Sequence, residues 1–263
     1  MLLDSWWEDA YDYNGDLEKI LFKESVTHIT NIPKIIIEDQ GTIDDILYSL
    51  GENKNRQTVI ISPIFYSHIK KISSDEKKIN YILLNGFYGD DADNIIAVYS
   101  SRGEVYYQAG VKAALFSKNN DNCTVAAVFY NGSSIRKNEK KQFIDGYESV
   151  IDSGELIYYD QQNYTGGEKL KNFINSAPEK GAGLFFFSAS SINPFCLDLA
   201  LPLSIPVSGE NLNSLGFYNE LVEFSVDDDI IEIIETAVKM GLDGEIISDI
   251  PVKARISEKG IHF

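Results

Sequence analysis

RGEVYYQAGVKAALFSK (Arg102–Lys118), NNDNCTVAAVFYNGSS (Asn119–Ser134) and IRKNEKKQFID (Ile135–Asp145) follow one another without a break, and together they decide the fold. Val105, Ala109, Val111, Ala113, Ala114, Leu115 and Phe116 recur at spacings that predict a helix with one broad apolar face. Lys112 and Lys118 fall on its other side. Asn119, Asn120, Asp121 and Asn122 then supply turn-forming residues. Val125 to Tyr130 is an apolar run rich in β-formers, short enough for a strand buried on both faces. Asn131 to Ser134 form a polar turn, and Phe143, Tyr147 and Val150 begin a second helical stripe. Helix, strand, turn, helix, strand is one unit of an α/β sandwich with a parallel sheet.

The same rhythm extends in both directions. Upstream, strands are expected at Leu2-Leu3, Ile35–Ile37, Val59–Ile61, Tyr81–Leu84 and Asn94–Tyr99. Helices begin after Asp16 and Thr42, and another surrounds His68–Ser73. Downstream, strands are expected at Glu155–Tyr159, Leu184–Phe187 and Ile205–Val207. Helices fall at Lys140–Val150, Glu168–Ile174 and Cys196–Ala200. Val222–Ser225 then leads back to a helix Ile230–Met240, and one more strand runs from Val252 to Ile256. Two similar α/β lobes joined by three crossovers account for this order, each with a parallel sheet sandwiched by helices. Residues 1–100 plus 226–250 make the N-terminal lobe, and 101–225 plus 251–263 the C-terminal lobe. A ligand belongs between them, at the carboxyl ends of the strands.

Composition narrows the functions. At 263 residues and 44% hydrophobic content, the chain can bury a large core. A net charge of −17 argues against a nucleic-acid surface. Cys123 and Cys196 lack metal-ligand spacing and read as two buried free thiols, with a disulfide left open. No apolar run approaches the ~20 residues of a membrane-spanning helix. No G-x-S-x-G, Walker loop, H-E-x-x-H or G-x-G-x-x-G appears, and His28, His68 and His262 are scattered. No catalytic residue, metal ligand or cofactor is therefore assigned.

Glu104, Tyr107, Ala109 and Gly110, the helix ending Ser117-Lys118, and the later Phe143-Ile144-Asp145-Gly146-Tyr147 resemble the centre of the basic membrane protein family. The resemblance implies a lipoprotein receptor of the type I periplasmic-binding-protein fold; the best-understood members bind purine nucleosides for ABC transporters. It also implies a location in the cell envelope, periplasmic or lipid-anchored. The signal peptide and lipid-anchor cysteine are expected outside these 263 residues.

The resemblance picks out site residues one by one. Asp4 matches the family's Asp after the first strand, and Tyr13-Asn14 fall where it carries Phe-Asn. Trp6 and Trp7 replace its glycines, and either stack on a ligand or pack beneath the loop. Asn85 stands in place of an Asp, and Glu210 in place of the ribose-binding Asp; each holds a ligand or forms a turn. Ser188, after Leu184–Phe187, suits a polar ligand or local capping. Asp228 falls at or near the family's base-binding Lys. There it would repel an electron-rich base edge; alternatively Asp227 or Asp229 simply caps the next helix, and under either reading a purine nucleoside is disfavoured.

The leading reading is an extracytoplasmic receptor of an ABC importer, closing on a small nucleoside- or sugar-like ligand and partnered by a permease. Two others stay open: an effector-sensing domain of a sugar-repressor-like regulator, and a surface lipoprotein that has lost ligand binding.

Overall fold

The structure is a computed structural model describing residues 1–4, 15–28, 30–37, 42–52, 57–73, 79–85, 93–132, 134–151, 154–162, 166–212, 220–244 and 248–258. In chain order the elements are β1 (Leu2–Asp4), α1 (Asp16–His28), β2 (Ile35–Ile37), α2 (Ile43–Gly51), β3 (Gln57–Ile61), α3 (Tyr66–Ser73), β4 (Ile79–Leu84) and β5 (Ile95–Ser101). Then come α4 (Gly103–Asn119), β6 (Thr124–Tyr130), α5 (Ser134–Glu148), β7 (Leu156–Gln161), α6 (Glu168–Ser176), β8 (Ala182–Ser188), α7 (Asn193–Ala200) and β9 (Val207–Glu210). The chain closes with β10 (Val222–Asp227), α8 (Ile230–Asp243), β11 (Ile250–Lys253) and β12 (Arg255–Glu258).

Two compact units result. Met1–Ser100 with Asp229–Lys253 form unit 1, and Ser101–Asp228 with Ala254–Phe263 form unit 2. The sequence reading put the last two passages three residues earlier, at 225/226 and 250/251. β10 runs past Ser225 to Asp227, which moves the first. The second moves because the single strand expected at Val252–Ile256 is two strands, β11 in one sheet and β12 in the other, parting at Ala254.

Unit 1 holds a six-stranded sheet in the order β11-β5-β4-β3-β1-β2. β1 to β5 pair in parallel. Successive residues enter opposite cores, as the pleat requires. Leu3, Ile60, Ile82 and Val98 meet α1 and α8 through Leu17, Leu21, Ile233 and Ala237. Leu2, Val59, Tyr81 and Ala97 meet Ile43, Leu47 and Ile69 of α2 and α3 on the other face.

Unit 2 repeats the plan in the order β12-β10-β9-β8-β6-β7. β6 to β10 are parallel, and β12 is an antiparallel edge strand on β10. The run Val125 to Phe129 is buried on both faces, as its composition implied. Val125, Ala127 and Phe129 pack with Phe143 and Phe186 under α4 and α5, while Ala126 and Val128 pack with Phe185, Leu170 and Leu197 under α6 and α7.

Close backbone approach fixes how α4 crosses α5. A Cβ on Gly110 would lie 2.0 Å from the Phe143 carbonyl oxygen, and one on Gly146 2.0 Å from that of Tyr107. Gly110→Ala or Gly146→Ala must therefore separate two packed helices, and should lose at least about 1–3 kcal/mol in denaturant unfolding. Gly241 in α8 is the control. Its added methyl would meet nothing nearer than 3.4 Å, so Gly241→Ala should be neutral or gain up to about 1 kcal/mol of helix propensity.

Candidate functional site

On the face of the second sheet under α4 and α5, Phe129, Phe186 and Val226 end the apolar layer. Two residues further along their strands, alternation brings Asn131, Ser188 and Asp228 to that same face. Glu210 joins them, two past Ser208. The parallel strands put all four at one carboxyl edge, as a polar row above an aromatic core. Arg102 and Tyr106 face the row from the start of α4, Arg136 and Glu139 from the start of α5.

Arg102 holds the row together. Its Nε donates to Asp228 Oδ1 at 2.6 Å, its Nη2 to Asp228 Oδ2, and its Nη1 to Glu210 Oε1 at 2.9 Å. Asn211 adds a donor to Asp228 Oδ2 at 2.9 Å and accepts from the Asp228 backbone N–H at 2.8 Å. Glu210 also accepts from Arg136, from the Tyr106 hydroxyl, from Ser188 Oγ at 3.2 Å and from the Ser190 N–H at 3.3 Å. Arg136 pairs with Glu139 at 3.0 Å. Arg102, Glu139, Glu210 and Asp228 are each at most 5% exposed.

Opposed forces act on the carboxyls. Burial works against the Glu210 carboxylate, but Arg136, Arg102 and the Tyr106 hydroxyl outweigh it and hold the group below the usual glutamate range. At Glu139 burial wins over Arg136 and Arg102, and the carboxyl is raised. Burial and the Glu210 charge together raise the Tyr106 phenol.

The three consecutive aspartates do three different things. Asp227 accepts from the Ser225 hydroxyl at 2.5 Å and from the Ser257 hydroxyl, binding β12 to β10. Asp228 holds Arg102. Asp229 caps α8, its Oδ1 accepting from the Glu232 N–H at 3.1 Å. The alternative in which Asp229 caps the next helix is the one observed, and because the guanidinium of Arg102 neutralises Asp228, its charge carries no argument against purines.

The other expected residues divide. Asp4 ends β1, opposite Ile37 of β2. Trp6, Trp7, Tyr13 and Asn14 lie outside the described residues. Asn85 follows β4 with φ of 51°, and its side-chain oxygen accepts from the Ser100 N–H at 3.1 Å. Cys123 and Cys196 are both free; Cys196 is buried, which pushes its thiol up to about 12, whereas Cys123 is only half-buried. His68 is half-buried against Asp44, at 2.8 Å. Among the described residues no His, Cys, Asp and Glu group could hold a metal, and no helix is long and apolar enough to cross a membrane.

Sequence reasoning missed Arg102, Tyr106, Arg136 and Glu139. One signal was available. The chain has four arginines, Arg56, Arg102, Arg136 and Arg255, and two of them open the helices of the fold-deciding stretch. A residue so sparingly used, at helix starts that meet strand ends, suits forked pairing with buried carboxylates.

The pH dependence follows from the two glutamates. Between the ordinary glutamate pKa and the raised one of Glu139, the unfolded chain ionises while the fold keeps the proton, so stability falls as pH rises. Glu210 has the opposite sign: its contribution is present above the ordinary value and is lost as pH falls through the lowered one. In denaturant titrations, Glu139→Gln should therefore gain on the unsubstituted protein as pH is raised towards neutrality. The deficit of Glu210→Gln should shrink on acidification.

Comparison with known proteins places this geometry. A solute-binding protein of an ABC transporter from Aeropyrum pernix K1 aligns with 98% of this chain and 75% of its own, at 12% identity and a TM-score of 0.75. GanP, a glucose-galactose binding protein from Geobacillus stearothermophilus, covers 98% and 96% at 13% identity and 0.68. A transcriptional activator of the comK gene from Bacillus halodurans covers 100% and 91% at 12% identity and 0.70. At such identities these share the fold. No curated protein matches the chain. The family described as ABC transporter substrate-binding protein PnrA-like (Bmp) matches residues 19–155, just over half the chain. The chain belongs to this Bmp/PnrA-like family, which consists of substrate-binding proteins rather than enzymes and has the type I periplasmic-binding-protein fold.

Proposed function

We propose that the protein is the solute-binding receptor of an ABC importer, held at the cell envelope by a lipid anchor and delivering a small nucleoside- or sugar-like ligand to a permease. The ligand is taken at the carboxyl ends of the strands. The single observation that carries this reading, beside family membership, is the polar row at that edge of unit 2. Buried ion clusters of this kind are no more stabilising than apolar packing of the same volume. Their placement at the ligand end of a binding fold is better explained by recognition than by stability.

Within this proposal the residues divide their work. Asp4 accepts hydrogen bonds from the ligand, Trp6, Trp7 and Tyr13 supply rings to stack on it, and Asn14 and Asn85 add amides. Ser188, Glu210 and Asp228 belong to the carboxyl edge of unit 2, where the carboxylates act by holding Arg102 and Arg136. The glucose-galactose binding relative makes a hydroxyl-rich solute the first class to try. A second reading, a surface protein without ligand binding, is favoured by the internal partners that Asn85, Glu210 and Asp228 already have. The regulator reading draws on likeness of fold alone.

Native mass spectrometry of freshly purified protein, followed by calorimetry with D-galactose, D-ribose and adenosine, tests the proposal. A bound small molecule, or saturable heat with one of these, is the expected result. With that ligand, Trp6→Ala or Trp7→Ala should then weaken binding by at least about 0.5–1.5 kcal/mol, the share of a stacked ring beyond its buried area. Protein free of ligand and silent with all three contradicts the receptor reading and favours the non-binding one.

A further inference from the structure

The polar row of unit 2 is closed at three of its four positions. Ser188, Glu210 and Asp228 all hydrogen-bond to side chains of α4, α5 or Asn211. Asn131 differs. Its side-chain oxygen is buried and has no hydrogen-bond partner among the described residues. Its backbone N–H continues the sheet, donating to Gln161 O at 2.9 Å, so the residue is held in place by the ladder. An amide oxygen left buried without a donor costs more than a satisfied one gains, and such a group in a native fold calls for an explanation.

Position supplies one. In the order β12-β10-β9-β8-β6-β7, the chain departs to one side of β6 to make β7 and to the other to make β8. The topological switch therefore lies between β6 and β8, where open α/β sheets present ligands beyond the carboxyl ends. Phe129 pairs with Ser188 across that boundary, so Asn131 and Ser188 flank it. One of the two is occupied from within; the other carries the unmet acceptor.

Charge narrows what could approach. Arg102 and Arg136 bring two positive charges to the cluster, while Glu139, Glu210 and Asp228 bring three carboxyls. Both guanidiniums are committed to carboxylates, so neither offers an anion an uncompensated partner. A phosphate or carboxylate placed here would find no counter-charge left for itself.

We propose that Asn131 is a ligand contact, its buried side-chain oxygen accepting a hydrogen bond from a hydroxyl or amine of a neutral or cationic solute. This rests on the receptor reading above and names both the contact and the chemical class it selects. Purine nucleosides and neutral sugars fall within the class, as do amino sugars; nucleotides and uronic acids fall outside it.

Calorimetry on the full chain and on Asn131→Ala tests it, with adenosine, D-galactose, D-galactosamine and D-galacturonate as probes and thermal unfolding without ligand as the control. In the unsubstituted protein at least one neutral or cationic probe should bind and D-galacturonate should not. Asn131→Ala should weaken the bound probe about tenfold or more, because the ligand donor loses its acceptor. The same substitution should leave the unliganded melting temperature unchanged or raised, since it removes an unmet polar group. A melting temperature that falls shows that Asn131 is a structural residue and overturns the proposal. So does equal affinity in the two proteins, or preference for D-galacturonate, with the receptor reading left standing. Silence of every probe with the unsubstituted protein overturns the receptor reading and this inference together.

Discussion

Arg102 is the second residue of unit 2, and Asp228 is the last before the chain leaves it for α8. The guanidinium fork between Asp228 and Glu210 thus fastens the entry of the chain to its exit, across 126 residues of sequence. Everything else at that edge depends on this bond. It places the first turn of α4, and with it Tyr106, over Ser188 and Glu210. It also neutralises Asp228, which would otherwise be an uncompensated buried charge where the chain returns to unit 1. Arg is suited to this position because its planar fork meets two oxygens of one carboxylate and still reaches a second group.

A receptor of this family would be expected to spend its edge carboxylates on ligand. Here they are spent first on two arginines, and the edge is built as a preorganised surface with its strongest groups already paired. That arrangement suits discrimination more than attraction. A ligand gains little from displacing a guanidinium that holds two carboxylates, and more from meeting the groups left over at the rim. That is the basis of the proposed preference for hydroxyls and amines over anions.

The fold was legible because apolar periodicity is local. Val125 to Tyr130 shows strand and two-sided burial within six residues, and the stripe through Val105, Ala109 and Ala113 shows the helix before it. The crossing of α4 and α5 was half legible: Gly110 and Gly146 were noticed as family-like positions, but their reciprocal contact needs both helices in place. The strand at Val252–Ile256 misled because its alternation carries on through Ala254, where the chain passes from one sheet to another. Hydrophobicity does not mark that change. The site was least legible. Arg102, Arg136 and Glu210 are separated by 34 and 74 residues, and no spacing rule joins an ion pair across such distances. The strand before Asp228 was expected to end at Ser225 rather than Asp227, and the role of Asp228 depends on a partner that periodicity cannot reveal.

A double-mutant cycle on Arg102→Met and Asp228→Leu in unit 2 tests the central claim most directly, read by denaturant unfolding of the full chain. If the fork fastens the unit, each single substitution strands a buried charge and should cost about 3–5 kcal/mol, whereas the double should cost far less than the sum. Additive losses, or single losses within about 0.5 kcal/mol, would show that the pair is incidental to the fold and contradict the account.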